Sequence, residues 1–212
     1  MHGRRQVDAV RSLIVSIFVA IDFETSGKEA NAACSVGMVR IENGRLTRTF
    51  SSLIRPPSSR VLFSWVHGLT WADLCRAPTF TELWPQMEAF FAGAQGFVAH
   101  NAPFDRSVFN GCCTSFLLPN PELPFYCTLK GARAALKLPS KTLDALCAHY
   151  QIPLNHHEAL SDALACARIF VLLQQQGLDV ERMRLNPPGA ACKRRTGPGK
   201  TLAATPLQKL CS

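Results

Sequence analysis

The chain has 212 residues, 47% apolar and 18% charged, which is enough for one domain with a real core and excludes a disordered protein. Its net charge of +8 is unevenly placed: up to Glu181 there are 16 basic and 15 acidic residues, and beyond it seven basic residues and no acid. Basicity therefore belongs to the C-terminal stretch and says little about a site in the folded part.

Residues 13–24, LIVSIFVAIDFE, are β-branched, aromatic and nearly apolar throughout, as a central strand buried on both faces should be. Arg4 and Arg5 ahead of this run imitate a signal peptide. The run is only about ten residues long and ends at Asp22 without a small-residue cleavage site, so it is not read as one. Residues 34–42 form a second strand, Asn43-Gly44 a hairpin turn, and residues 45–55 a third strand ended by Pro56-Pro57. A helical turn is expected around Thr70–Leu74. A helix follows over 81–92, with Thr81 as its cap and Pro85 tolerable only in the first turn.

Gly96–His100 reads as a short buried strand. Asn101 is placed to cap the next helix and Pro103 suits its first turn. Pro119, Pro121 and Pro124 mark a loop before a strand at Phe125–Cys127, and helices follow at 128–137 and 142–150. The clearest helix is 158–175, with Leu160, Ala163, Leu164, Ala167, Val171 and Leu172 as its apolar stripe and Gly177 as its stop. The strands reached through helical crossovers should run parallel to the first. The expected architecture is α/β: a five-stranded mixed sheet, made of a three-strand antiparallel meander plus two parallel strands, flanked by helices. Residues 1–180 form this domain, and 181–212 form a basic Pro/Gly-rich flexible tail. Nine scattered cysteines, with no CxxC pair, suggest neither a disulfide framework nor a zinc site. They fit a reducing, cytoplasmic setting. No segment approaches a membrane span.

The chemistry rests on acids beside apolar runs. Asp22 and Glu24 are two apart on a strand, so they project from one face with Cα atoms roughly 6–7 Å apart. Two carboxylates about 4 Å apart repel by about 4 kcal/mol at an effective dielectric of 20, which a shared cation removes. Asp105 lies in the first turns of the helix after strand four, directly beyond a buried strand. His157 and Asp162 are five apart and would point about 140° apart on one helix. They converge if His157 stands just before the helix, where a near-neutral imidazole can take a proton from water. His156 is adjacent, and only spacing separates the two. His100 reads as a supporting or structural histidine.

Taken together, Asp22-Phe-Glu24-Thr-Ser-Gly, His100-Asn-Ala-Pro-Phe-Asp105 and His157-Glu-Ala-Leu-Ser-Asp162 resemble the three motifs of the DEDDh exonucleases. That is the family of the DNA polymerase III epsilon proofreading subunit, with oligoribonuclease and RNase T as relatives. Val66-His67-Gly68-Leu69-Thr70 and Cys127-Thr128-Leu129 resemble two further family segments. Glu158 stands where the tyrosine variant would carry its base, so the histidine class is implied.

The resemblance implies a ribonuclease H-like fold and two divalent cations, Mg²⁺ or Mn²⁺, held by Asp22, Glu24, Asp105 and Asp162. It implies His157 as the base and stepwise 3′→5′ release of nucleoside monophosphates from nucleic acid with a free 3′ end, single-stranded DNA foremost. Phe23 would stack on the terminal base, with plain core as its other reading, and Thr25 would contact the sugar; His67 and Asn101 are weaker candidates for contacts near the terminus. A DNA polymerase is a candidate partner. The rival expectations are an exoribonuclease of the oligoribonuclease or RNase T type, a non-catalytic nucleic-acid or polymerase-binding module on the same fold, and a hydrolase of another phosphodiester on this fold. The basic tail is read as an electrostatic arm, a tether or a plain linker. Oligomeric state is left open.

Overall fold

A computed structural model describes residues 16–187. Three strands open it: β1 (Ile17–Thr25), β2 (Ala33–Glu42) and β3 (Arg45–Leu53). They form the expected antiparallel meander. Asn43 and Gly44 both have positive φ, 50° and 75°, the backbone a two-residue hairpin turn requires and one that Asn and Gly adopt at least cost. Two short helices, α1 (Ser64–His67) and α2 (Trp71–Leu74), precede α3 (Phe80–Phe91). Then come β4 (Phe97–Ala99), α4 (Pro103–Ser115), β5 (Phe125–Cys127), α5 (Thr128–Ala135), α6 (Leu143–Tyr150) and α7 (Ala159–Gln175). The sheet order is β3-β2-β1-β4-β5, with β4 and β5 parallel to β1. This is the expected mixed sheet of the ribonuclease H-like fold.

Alternation along β1 divides the core. Val19, Ile21 and Phe23 face a cluster built with α3 and α4, while Phe18 and Ala20 face a second cluster built with α6 and α7. The first is strongly aromatic. Phe109 of α4 has ring neighbours at Phe97 (5.1 Å), Trp84 (5.9 Å), Phe91 (6.2 Å) and Phe23 (6.3 Å). Truncating such a centre to alanine costs about 3–5 kcal/mol. This cluster fixes β1 and α4 relative to one another, and with them Asp22 and Asp105.

Several local expectations need correction. The cap of α3 is Thr79, not Thr81: its hydroxyl accepts the Glu82 N–H at 3.3 Å, and the Glu82 carboxylate accepts the Thr79 N–H at 2.6 Å. The same threonine-to-acid spacing could have been read from Thr79. Pro85 then lies inside α3, beyond its first turn. Asn101 makes no side-chain cap on α4. It adopts φ 62° instead, and its carbonyl accepts the Phe104 N–H. Pro103 opens α4 as expected.

Helix α7 is buried more broadly than one stripe. Ala159, Ala163, Cys166, Phe170 and Leu173 form its deepest line, and Leu160, Leu164 and Leu172 lie at the margins. The helix is covered by the sheet on one side and by α5 and α6 on others, so no polar face marks its orientation. The domain also runs past the expected boundary at Glu181. Met183 is fully buried, Arg184 bridges Tyr126, and the Leu185 N–H bonds to the Phe125 carbonyl. One methionine among polar and basic neighbours gave no periodicity to detect. The tail beyond Pro187 lies outside the described residues, as do residues 13–15 of the first strand. None of the described helices is long and apolar enough to cross a membrane.

Gly37 of β2 pairs with Asp22, and a Cβ there would collide with the backbone of Ala159 and Leu160 at the start of α7. Only glycine lets α7 approach the sheet this closely. Gly37→Ala is expected to destabilise the fold by about 1–3 kcal/mol, the usual effect of overpacking. A denaturant titration showing unchanged stability would mean that α7 does not depend on this contact.

Candidate active site

The candidate site lies at the carboxyl ends of the parallel strands, where open sites form in α/β sheets. Asp22 and Glu24 continue the face of β1 begun by Phe18 and Ala20, the face covered by α7. Asp162 lies in the first turn of α7. Oxygens of Asp22, Glu24 and Asp162 lie within 4.8 Å of one another. Asp105, in the first turn of α4, reaches the end of β1 from the other layer, and its Oδ1 accepts the Phe23 N–H at 3.2 Å. Asp105 and Asp162 are buried, and Asp22 is half-buried. Residues 140 apart in the chain thus meet at one rim.

Without a counter-charge this arrangement is electrostatically uphill. Burial, followed by the charges of Asp105, Asp162 and Glu24, raises Asp22 well above the ordinary carboxylate range. Burial likewise raises Asp105, although the Phe23 N–H pulls against it. Glu24 is pushed up to about 7, by burial first and by Asp162 second. Asp162 is also raised by burial, with His156 opposing. All four acids move in the direction that disfavours charge. An all-oxygen donor set of this kind suits a hard divalent cation.

His157 stands just before α7, as expected, with φ 67°. Its backbone N–H donates to Asp162 Oδ2 at 3.2 Å. The expected ring-to-carboxylate convergence goes first to its neighbour: His156 Nδ1 lies 3.0 Å from Asp162 Oδ2 and 3.3 Å from Oδ1. The two imidazoles stack with centroids 3.9 Å apart and planes at 17°. Spacing alone could not show this, because it depends on the turn at residues 155–158.

The other expected site residues divide. Phe23 is a correction: its ring is 3% exposed and packs with Phe80 and Phe109, so it cannot stack on a base. It alternates away from the acids, a consequence of the same strand periodicity that places them together. Thr25 is buried, and its carbonyl is engaged by His67 Nε2 at 3.2 Å. That leaves it in a supporting position. His67 Nδ1 accepts the Leu69 N–H at 3.1 Å, which fixes the neutral tautomer with the proton on Nε2. Burial lowers its pKa accordingly.

His67 joins Glu24, His156, His157 and Leu160 in lining a cleft of about 350 Å³ beside the acids. Asn101 is exposed at the turn before α4. His100 is structural. Its Nδ1 meets the Thr128 hydroxyl at 2.9 Å, and burial lowers its pKa to about 4. Two contributors were missed. Gly37 could have been found as a glycine inside a strand, a sign of close backbone approach. His156 was visible only as the rival of His157.

The sign of the pH effect follows from linkage. A carboxyl whose folded pKa is raised binds its proton more tightly in the native state, so stability falls as pH rises toward the folded value. His100 and His67 act oppositely, and their effect levels off above the ordinary histidine value of 6.5. In chelator, the melting temperature is expected to fall between pH 6.5 and 8, through the titration of Glu24. Glu24→Gln should flatten that slope, and Mn²⁺ should stabilise the protein more at pH 8 than at pH 6. A melting temperature that rises over this interval without metal would contradict the charge arrangement.

Comparison with known proteins bears on this geometry. A family model described as Exonuclease matches residues 19–170. The DNA polymerase III PolC-type protein of Thermotoga maritima is 31% identical over 160 residues, covering 73% of this chain but only 12% of that protein. The DNA polymerase III subunit epsilon of Escherichia coli K12 is 28% identical over 172 residues, covering 73% of this chain and 70% of the subunit. Among solved structures, the nuclease domain of 3'hExo, a DEDDh family member bound to rAMP, superposes with a TM-score of 0.68. It is 19% identical and covers 82% of this chain and 98% of that one.

Proposed function

The chain belongs to the exonuclease family whose model spans most of its folded domain, and on that premise we propose that it is a metal-dependent 3′→5′ exonuclease. Its substrate is nucleic acid with a free 3′ end, single-stranded DNA foremost, and its products are nucleoside 5′-monophosphates. The observation that carries this reading is the convergence of Asp22, Glu24 and Asp162 within 4.8 Å, beside the buried Asp105.

Asp22, Glu24, Asp105 and Asp162 would hold two divalent cations, Mg²⁺ or Mn²⁺. When bound, such a pair activates water, orients the scissile phosphate and offsets charge on the departing 3′ oxygen. The protein's own contributions are positional. His157, at the exposed mouth of the cleft, takes the proton of the attacking water. The Phe23 N–H holds Asp105 in one orientation, and the His157 N–H does the same for Asp162. His67, pinned between Thr25 and Leu69, and Asn101, at the turn before α4, flank the place of the terminal nucleotide. The names of the relatives make a DNA polymerase the candidate protein partner.

The decisive assay is digestion of 3′- and 5′-labelled single strands of DNA and RNA with Mg²⁺. Stepwise loss of 3′-terminal mononucleotides is expected, faster on DNA, and abolished by EDTA or by Asp22→Ala. Cleavage retained under either condition would refute the metal assignment. His157→Ala should lower turnover by about 10²–10⁴-fold, the usual worth of a positioned base. His156→Ala should lower it far less, and equal losses would mean that the base is misassigned. Deletion of the seven-cation stretch after Glu181 is not a clean test, because Met183 is core. Truncation after Pro187 should instead weaken binding and flatten its salt dependence, with chemistry intact.

A further inference from the structure

The turn ahead of α7 carries an imidazole, that of His156, that the exonuclease reading does not use. His156, His157 and Asp162 present ligand atoms that all lie within 4.8 Å of one another. Asp162 is shared with the carboxylate cluster, but the other two donors are imidazole nitrogens. The turn holds them together. The Asn155 N–H donates to Ser161 Oγ at 2.8 Å, Asn155 Nδ2 donates to Glu158 Oε2 at 3.3 Å, and the Glu158 N–H bonds to the Asn155 carbonyl. His157 is left at φ 67°, and its ring stacks on that of His156. His156 Nδ1 already sits 3.0 Å from the Asp162 carboxylate. The side chain of His156 is 44% exposed and that of Asp162 is 5% exposed. His156 and His157 line the cleft, and Asp162 is the buried member of the three.

We propose that His156, His157 and Asp162 form a binding site for a borderline transition cation, with Zn²⁺ as the reference ion. The donor chemistry separates it from the neighbouring all-oxygen cluster. Imidazole favours Zn²⁺ and Co²⁺, whereas Mg²⁺ prefers carboxylate, carbonyl and water. Three protein ligands with an open position match the coordination of an accessible zinc site. Binding occupies His157 and draws on Asp162, so Zn²⁺ inhibits the nuclease while Mg²⁺ supports it. That consequence rests on the exonuclease reading; the binding itself does not.

The test uses the full, reduced, chelator-treated chain in a large excess of Mg²⁺. It is titrated with Co²⁺ while the visible absorption is followed, and then back-titrated with Zn²⁺. The wild type is expected to take up Co²⁺ with an imidazole-type spectrum that Mg²⁺ does not suppress and Zn²⁺ does. His156→Gln and His157→Gln should each weaken uptake by roughly tenfold or more, since losing a ligand should matter at least as much as losing an outer partner. In a parallel activity arm, Zn²⁺ should inhibit the Mg²⁺-supported rate of the wild type, and His156→Gln should lose that sensitivity when each protein is referred to its own Mg²⁺-supported rate. Equal Co²⁺ affinity in the wild type and both variants overturns the proposal. So does a spectrum of thiolate type that neither variant changes, or Co²⁺ that Mg²⁺ displaces. The absorption readout needs no substrate, so a chain that binds Co²⁺ as expected but digests no nucleic acid would sink the exonuclease reading alone.

Discussion

Four carboxylates brought to one largely buried rim are the constraint around which this molecule is organised. Each is raised above its ordinary range chiefly by burial. A charge in such a place is tolerated only when something compensates it. The fold supplies partial compensation through single backbone N–H groups, Phe23 to Asp105 and His157 to Asp162. It also places one imidazole against Asp162. These contacts orient the acids, and the remaining demand for positive charge is what favours a cation at the rim.

The scaffold can hold this repulsive arrangement because its two cores are large and independently anchored. The aromatic cluster around Phe109 locks α4 to one face of β1, and the α7 cluster locks the other face. Strand periodicity then assigns roles. Odd-numbered β1 side chains from Val19 to Phe23 go to the aromatic core, and the even-numbered series from Phe18 ends in Asp22 and Glu24. The absence of a Cβ at Gly37 lets α7 settle close enough for Asp162 to join them.

Much of this was legible in the sequence, and the parts that were not have specific causes. The meander, the parallel strands, the Asn43-Gly44 turn and the same-face placement of Asp22 and Glu24 follow from local rules of period and turn chemistry. The chain-distant meeting of Asp105 and Asp162 with them came only through the order of the motifs, because no local rule joins two helices. The motif around Phe23 favours a substrate contact, but strand alternation sends it to the core, the second of its two readings, and there it lies. Thr81 competes with Thr79 for the cap of α3 in the sequence, because both are threonines shortly ahead of the apolar pair Leu83 and Trp84. The contact of His156 with Asp162 depends on a left-handed residue in a tight turn, which composition does not reveal. The margin of the domain was drawn short because Met183 is a single buried anchor in a polar stretch.

Whether the rim acids cage a pair of divalent cations is decided by anomalous diffraction from crystals of the chain soaked in Mn²⁺. Two manganese peaks are expected, coordinated among Asp22, Glu24, Asp105 and Asp162. Peaks elsewhere, with these carboxylates apart and no ion between them, would contradict the paired-cation reading.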